Sequence, residues 1–393
     1  MADRRSFLGL AAVLTACTKS SKAPSVVEQS MAPYGERAAA EAQILRTATE
    51  RTASVGVGSS TTPLQELHGV ITPSALHFER HHAGIPKIDP AKHTLLVHGL
   101  VAQPMEFSLD DLKRLPATTR THFIECSGNG GGELRGVAGA TVEKSHGLLS
   151  CSEWTGVPLK VLLEQAGVKP EAKWVIAEGA DACRMARSIP MAKCMEDALV
   201  VYGQNGEALR PGQGYPLRLL LPGFEGNSSV KWLDRLHVTE EPAQSNQETA
   251  HYTDLLPNGK ARQFSFVMDT NSVITRPSGG QKIAGGAGFV EISGIAWTGN
   301  GKIKRVEVST DGGKTWIDAA LEEPVLSRCL VRFRAPWVWD GKDAVIQSRA
   351  TDETGYLQPT RDEIVEARGT NSQYHYHGVK QWAVKADGSV TNV

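Results

Sequence analysis

One thiol in this chain sits where an apolar stretch runs into a turn almost without side chains: Thr121-His-Phe-Ile-Glu-Cys126-Ser-Gly-Asn-Gly-Gly-Gly132. A strand end fixes a sulfur in place, and glycines let backbone N–H groups approach a bound molecule closely. The pattern suits a cysteine presented to something bulky, and a thiolate is a soft ligand for a metal. A buried free cysteine beside an ordinary glycine turn is the plain alternative, so the rest of the chain has to decide. Beyond Cys17 there are Cys126, Cys151, Cys183, Cys194 and Cys329. That is an odd number, which in an oxidising compartment leaves at least one free thiol. No Cys-x-x-Cys pair occurs, which argues against zinc-knuckle and dithiol redox sites. No Cys-x-x-Cys-His occurs either, so no c-type haem is expected on this chain. Electrons from any redox step would leave through another polypeptide.

The glycines after Cys126 do not make a nucleotide site. Gly128-x-Gly130-x-x-Glu133 lacks the third glycine of the dinucleotide fingerprint, and no Walker A sequence is present, so NAD and ATP are not expected. The formal net charge of -1, from 42 basic and 43 acidic residues, gives no whole-molecule field for nucleic acid or anionic membranes. Any anion site must be local.

The elements that must position these residues can be read in outline. The 393 residues, 40% of them hydrophobic, predict two or three compact domains. Residues 1–25 read as a twin-arginine export signal: Arg4-Arg5-Ser-Phe-Leu8 precedes a short apolar run, and Leu14-Thr-Ala-Cys17 reads also as a lipoprotein cleavage box, which leaves Cys17 either as a lipid anchor or as part of the removed signal. The expected location is therefore the periplasm. Residues 26–75 read as an arm and linker with a short helix over Glu36 to Arg51. Residues 76–245 mix α and β. Strands are expected at Thr94–Gly99, Trp174–Ala177 and Leu217–Leu221, with helices over Ser108–Leu115 and Val157–Gly167. After an interdomain segment, 246–285, residues 286–393 turn to short alternating strands with a hairpin at Asp311-Gly-Gly313. That pattern predicts an all-β immunoglobulin-like sandwich serving assembly.

Together the residues resemble the sulfite oxidase family of molybdopterin enzymes from Leu76 to the C-terminus. The blocks that carry the resemblance are Phe78-Glu-Arg80-His-His82, Glu125-Cys126-Ser-Gly-Asn129, Glu153-Trp154-Thr-Gly156, Glu178-Gly-Ala-Asp181, Ser188-Ile-Pro190, Gly214-Tyr-Pro-Leu-Arg218 and Val230-Lys231-Trp232-Leu233. The resemblance implies an α+β, sulfite-oxidase-type molybdopterin domain followed by the sandwich as dimerisation domain. It makes Cys126 the molybdenum ligand and implies that His82, Asp181, Arg218 and Lys231 bind the molybdopterin. Arg80, Trp154 and Tyr252 would surround the substrate.

Two departures bear on substrate. Sulfite-oxidising members carry Arg where this chain has Gly130 and Gly131, with Arg135 nearby, and the second pocket arginine gives way in Gln373-Tyr-His-Tyr-His-Gly378 to His377. Two positive charges are weakened or made pH-dependent. This resembles the sulfane-dehydrogenase branch of the family. There the substrate is a cysteine persulfide on a sulfur-carrier protein of the thiosulfate-oxidising pathway, and electrons pass to a c-type cytochrome subunit. A homodimer within a heterotetramer is implied. Free sulfite, oxidised by a periplasmic sulfite dehydrogenase, is the alternative.

Overall fold

The computed structural model describes residues 33–50, 56–137 and 139–393. The export signal and Cys17 lie outside the described residues. The chain divides into two units, Met1–Gln43 and Ile44–Val393, and in the first the described residues form a single 3-10 turn, Ala39–Glu41. Among the described residues no helix is long and apolar enough to cross a membrane.

The helix expected over Glu36 to Arg51 does not form as such. Beyond the 3-10 turn, Thr47–Glu50 is a strand paired antiparallel with Gly58–Thr61, which pairs in turn with Glu79–His81. The β-branched Thr47 and Thr49 fit a ladder better than a helix. Long-range pairing overrides the local helix preference of the Ala-Glu-rich stretch before them. What read as a linker thus becomes a wall of the next domain.

That domain is built on two sheets. One runs Met105–Ser108, Thr94–Gly99, Leu233–Thr239, Trp174–Gly179, Ala186–Pro190, with Thr94–Gly99 and Leu233–Thr239 parallel and the other pairs antiparallel. The other runs Glu207–Ala208, Leu199–Gln204, Leu149–Pro158, Thr118–Glu125, with Arg218–Leu220 joined to Leu199–Gln204. Short helices pack on them. Leu109–Arg114 starts at a Ser108/Asp111 capping box, which satisfies two otherwise orphaned N–H groups. Leu159–Ala166 buries Leu159, Leu162, Leu163 and Ala166 and stops at Gly167, φ 71°. Each buried leucine of that stripe stabilises the fold by roughly 2 kcal/mol.

The sandwich has one sheet of Asn271–Arg276, Gly288–Trp297, Val331–Trp339 and Ala320–Leu321. The facing sheet holds Ile317–Asp318, Ile303–Ser309, Ala344–Asp352, Gln381–Val384 and Val390–Asn392. Its first strand, Asn271–Arg276, lies inside the stretch read as interdomain. The Pro277-Ser-Gly-Gly280 turn after it makes that strand look isolated until it pairs with Gly288–Trp297. The two domains share a core: Leu64, Phe123, Val142, Leu149 and Cys151 pack in one apolar cluster with Val273, Trp297, Phe333 and Trp382.

Candidate active site

The strand Thr118–Glu125, buried on both faces over its last four residues, carries the chain straight to Cys126. Cys126 is 9% exposed and faces a cavity lined also by Arg80, His81, His82, Asp181, Gln213, Arg218, Asn227, Lys231 and Tyr252. Seven of the nine site residues inferred from the sequence therefore meet in one place: Arg80, His82, Cys126, Asp181, Arg218, Lys231 and Tyr252. The remaining two, Trp154 and His377, do not line it.

Trp154 is fully buried behind the wall. Its Nε1 donates to the His122 carbonyl at 3.1 Å, and the Arg218 guanidinium lies 5.2 Å from its ring centre. It supports Arg218 by a cation–π contact. His377 is buried within the C-terminal segment. Its Nε2 is 2.9 Å from Tyr356 Oη, and its Nδ1 is 2.8 Å from the His375 carbonyl and 3.4 Å from Asp269. Burial holds His377 down at about 4, so near neutral pH it brings no positive charge. Arg135 is exposed and lies away from the cavity lining.

The glycines after Cys126 do not open the cavity either. A Cβ on Gly131 would meet the Gln373 carbonyl at 2.6 Å, and one on Gly130, φ 71°, would meet the Tyr376 ring at 2.8 Å. They are required because the C-terminal segment lies directly on this loop, where the His375 N–H donates to Ser127 O at 2.7 Å. The loop is also braced from within. Glu125 accepts from Asn129 Nδ2 at 2.8 Å and from Trp297 Nε1, a sandwich residue, at 2.6 Å.

The opposite end is cationic. Arg218 is 3% exposed. Its Nη1 donates to the Gln213 carbonyl and its Nη2 to the Ser229 carbonyl, while Nε is buried without a partner. Lys231 Nζ donates to the carbonyls of Arg80 at 3.1 Å and Gly212 at 3.0 Å and lies 3.0 Å from His81 Nδ1. Burial lowers Arg218 to about 9. Burial, and then repulsion from Arg218, brings Lys231 to about 7. Only Asp181 among the cavity-lining residues is a carboxylate. It accepts from the Met185 N–H at 2.9 Å within its own loop. Asn227 Oδ1 and His77 Nε2 are further buried polar atoms left without partners at the wall. The cationic wall thus leaves one buried donor, Arg218 Nε, and two buried acceptors without partners.

Between the two ends stands Tyr252, φ 53°, whose hydroxyl is 2.8 Å from His82 Nε2. Burial pushes the phenol up, and burial followed by Arg80 and Lys231 brings His82 down to about 4. Both are neutral near pH 7, and the phenol or the imidazole donates according to the His82 tautomer. His77, His81, Gln213 and Asn227 were not singled out in the sequence. Asn227 had a signal in the small polar run Gly226-Asn-Ser-Ser229 just before Val230-Lys231.

Comparison with known proteins places the site in context. The family described as oxidoreductase molybdopterin binding domain matches residues 82–247, and the Mo-co oxidoreductase dimerisation domain matches residues 262–381. The chain is 33% identical over 351 residues to the NADH nitrate reductase of Ulva prolifera, covering 82% of this chain and 39% of that protein. It is 32% identical over 342 residues to the mitochondrial sulfite oxidase of Mus musculus, covering 79% of this chain and 61% of that protein. It thus spans about two to three fifths of the length of these curated relatives. Among solved structures, the sulfane dehydrogenase SoxCD from Paracoccus pantotrophus matches with a TM-score of 0.92 at 46% identity, covering 95% of this chain and 98% of that one.

Proposed function

Because the chain belongs to the sulfite oxidase family of molybdopterin oxidoreductases, we propose that it oxidises sulfane sulfur, carried as a cysteine persulfide on a sulfur-carrier protein, to the sulfonate level. In this reading the persulfide gains three oxygens from three waters, and six electrons leave to a c-type cytochrome subunit with release of six protons. Export by the twin-arginine route, a periplasmic location and a homodimer within a heterotetramer belong to the same proposal. The observation that carries it is the match along 98% of the sulfane dehydrogenase chain at 46% identity, against 32% for the sulfite oxidase.

The residues present fit a molybdopterin. A phosphate would meet the orphaned Arg218 Nε and neutralise the repulsion between Arg218 and Lys231. Asp181 and Asn227 offer acceptors to a polar ring edge, with His82 beside them. When bound, the cofactor supplies two-electron redox chemistry and oxygen transfer to sulfur. The Cys126 thiol, pushed up by burial, would give up its proton on ligating the metal. Arg80 would hold the anionic sulfur group. Tyr252 would hold a proton at its oxygen against His82, next to the reacting sulfur.

The cavity supports a carrier-borne substrate better than free sulfite. Gly130 and Gly131 bring no charge, His377 does not line the cavity, and Arg80 is the lining guanidinium that acts on the Cys126 thiol. The second reading, a periplasmic sulfite dehydrogenase, rests on Arg80 and on the sulfite oxidase relatives. Steady-state turnover with cytochrome c as acceptor separates the two. Faster oxidation of a persulfide-loaded carrier peptide than of sulfite is expected, and preference for sulfite would overturn the proposal.

A further inference from the structure

Building on the cofactor-binding reading, we propose that Arg46 of the N-terminal arm, outside both family matches, is a positioning residue that locks the cationic wall of the cavity. Arg46 Nη1 donates to Glu79 Oε1 at 2.5 Å and to the His77 carbonyl at 2.9 Å. The other Glu79 oxygen is 3.0 Å from His81 Nε2, and His81 Nδ1 is 3.0 Å from Lys231 Nζ. The chain of contacts fixes one tautomer. His81 donates to the carboxylate through Nε2, so its Nδ1 is an acceptor toward Lys231.

Glu79 is the hinge of this relay. Its carboxylate presses on Gly212, where a Cβ would lie 2.4 Å from Oε1, and the Gly212 carbonyl is a second acceptor for Lys231. The groups facing Glu79 are Arg46 from the arm, His81 from its own strand and the Gly212 backbone, with Lys231 beyond. Burial pushes Glu79 up, but hydrogen bonds from His81 and Arg46 outweigh it and hold Glu79 at about 2. Without Arg46 the carboxylate loses its one arginine partner among the described residues, and His81 and the Lys231 ammonium lose their fixed direction. Strand pairing of Thr47–Glu50 with Gly58–Thr61 delivers Arg46 to this spot.

Arg46 does not line the cavity, so its effect should appear in cofactor retention. Holoenzyme and the variants Arg46→Ala, Arg46→Lys and Glu79→Gln are exchanged into buffers from about pH 4 to about pH 8, following molybdenum content and pterin fluorescence over time. Arg46→Ala is expected to release cofactor about tenfold faster than the parent, in the range for groups that orient ligands from behind, with Arg46→Lys in between. Acid-driven release should begin at higher pH in Arg46→Ala, because Glu79 then protonates nearer the ordinary carboxylate range. Glu79→Gln should release fast with no such acid step. Arg305→Ala, which removes an exposed pair with Asp318 in the sandwich, should match the parent. Release from Arg46→Ala at the parent rate across the pH range, or no rescue by lysine, overturns the proposal. Should Arg46→Ala fail to fold, Arg46→Lys and Glu79→Gln carry the same comparison. A parent protein that never holds molybdenum would instead sink the cofactor reading itself.

Discussion

At the Arg218 and Lys231 end the cavity wall is buried, crowded cation, whereas around Cys126 it is backbone, glycine and neutral rings with Arg80 as the guanidinium acting on the thiol. The charged end is held by its own domain and by the arm, through Gln213, Ser229, Gly212 and the Arg46–Glu79–His81 relay. The thiol end is held by the sandwich and the C-terminal segment, through Trp297 to Glu125 and His375 to Ser127. Grip and chemistry are thus separated in space and depend on different parts of the chain. The grip stores unfavourable charge that an anion relieves. The thiol end carries Arg80 as its cation, which on the proposed reading orients an anionic sulfur group without binding it too tightly by charge alone.

Four substitutions sharpen or break this contrast. Cys126→Ser should abolish turnover while leaving the unfolding transition cooperative, since the hydroxyl fills nearly the same space; retained activity breaks the account of the thiol end. Arg218→Met should act in opposite directions on the two forms. It removes a buried, poorly compensated cation, so the cofactor-free protein should gain about 1–3 kcal/mol of stability by denaturant unfolding, while cofactor retention falls. A loss in both forms would mean that the guanidinium is structural.

Lys231 gives a smaller effect with a definite sign. Its folded value of about 7 lies below the ordinary 10.5. Between those values the unfolded chain holds a proton that the cofactor-free fold does not, so stability should rise with pH across that window, by at most about 1.4 kcal/mol per unit. Lys231→Met should flatten that rise, and so should loading with cofactor. A slope unchanged in Lys231→Met contradicts the cation-crowding argument. The smallest effect on chemistry is expected from His377→Ala. Its contacts with Tyr356 and His375 are lost, at roughly 1–2 kcal/mol of stability, but KM should stay put; a raised KM would return His377 to the pocket.

Much of the fold could be read in the chain because the signals were local. Ser108 with Asp111, Gly167 after Leu159–Ala166 and the Asp311-Gly-Gly313 turn each fix an element within a few residues. Cys126, Arg218 and Lys231 could be read because each sits in a distinctive block. The arm strand could not, since Thr47–Glu50 is a strand only through its pairing with Gly58–Thr61. For the same reason the Arg46 relay was hidden: it joins residues 33 and 150 or more positions apart. His377 was expected at the pocket because the motif gives its neighbourhood but not its direction; buried like His375 and Tyr376, it turns to Tyr356 and Asp269 instead.

The most direct test of the central claim is molybdenum K-edge X-ray absorption on the cofactor-loaded protein and on Cys126→Ser loaded in parallel. The account predicts one sulfur scatterer fewer around the metal in the variant. Equal sulfur counts in the two would show that the Cys126 thiolate is not a ligand and would contradict it.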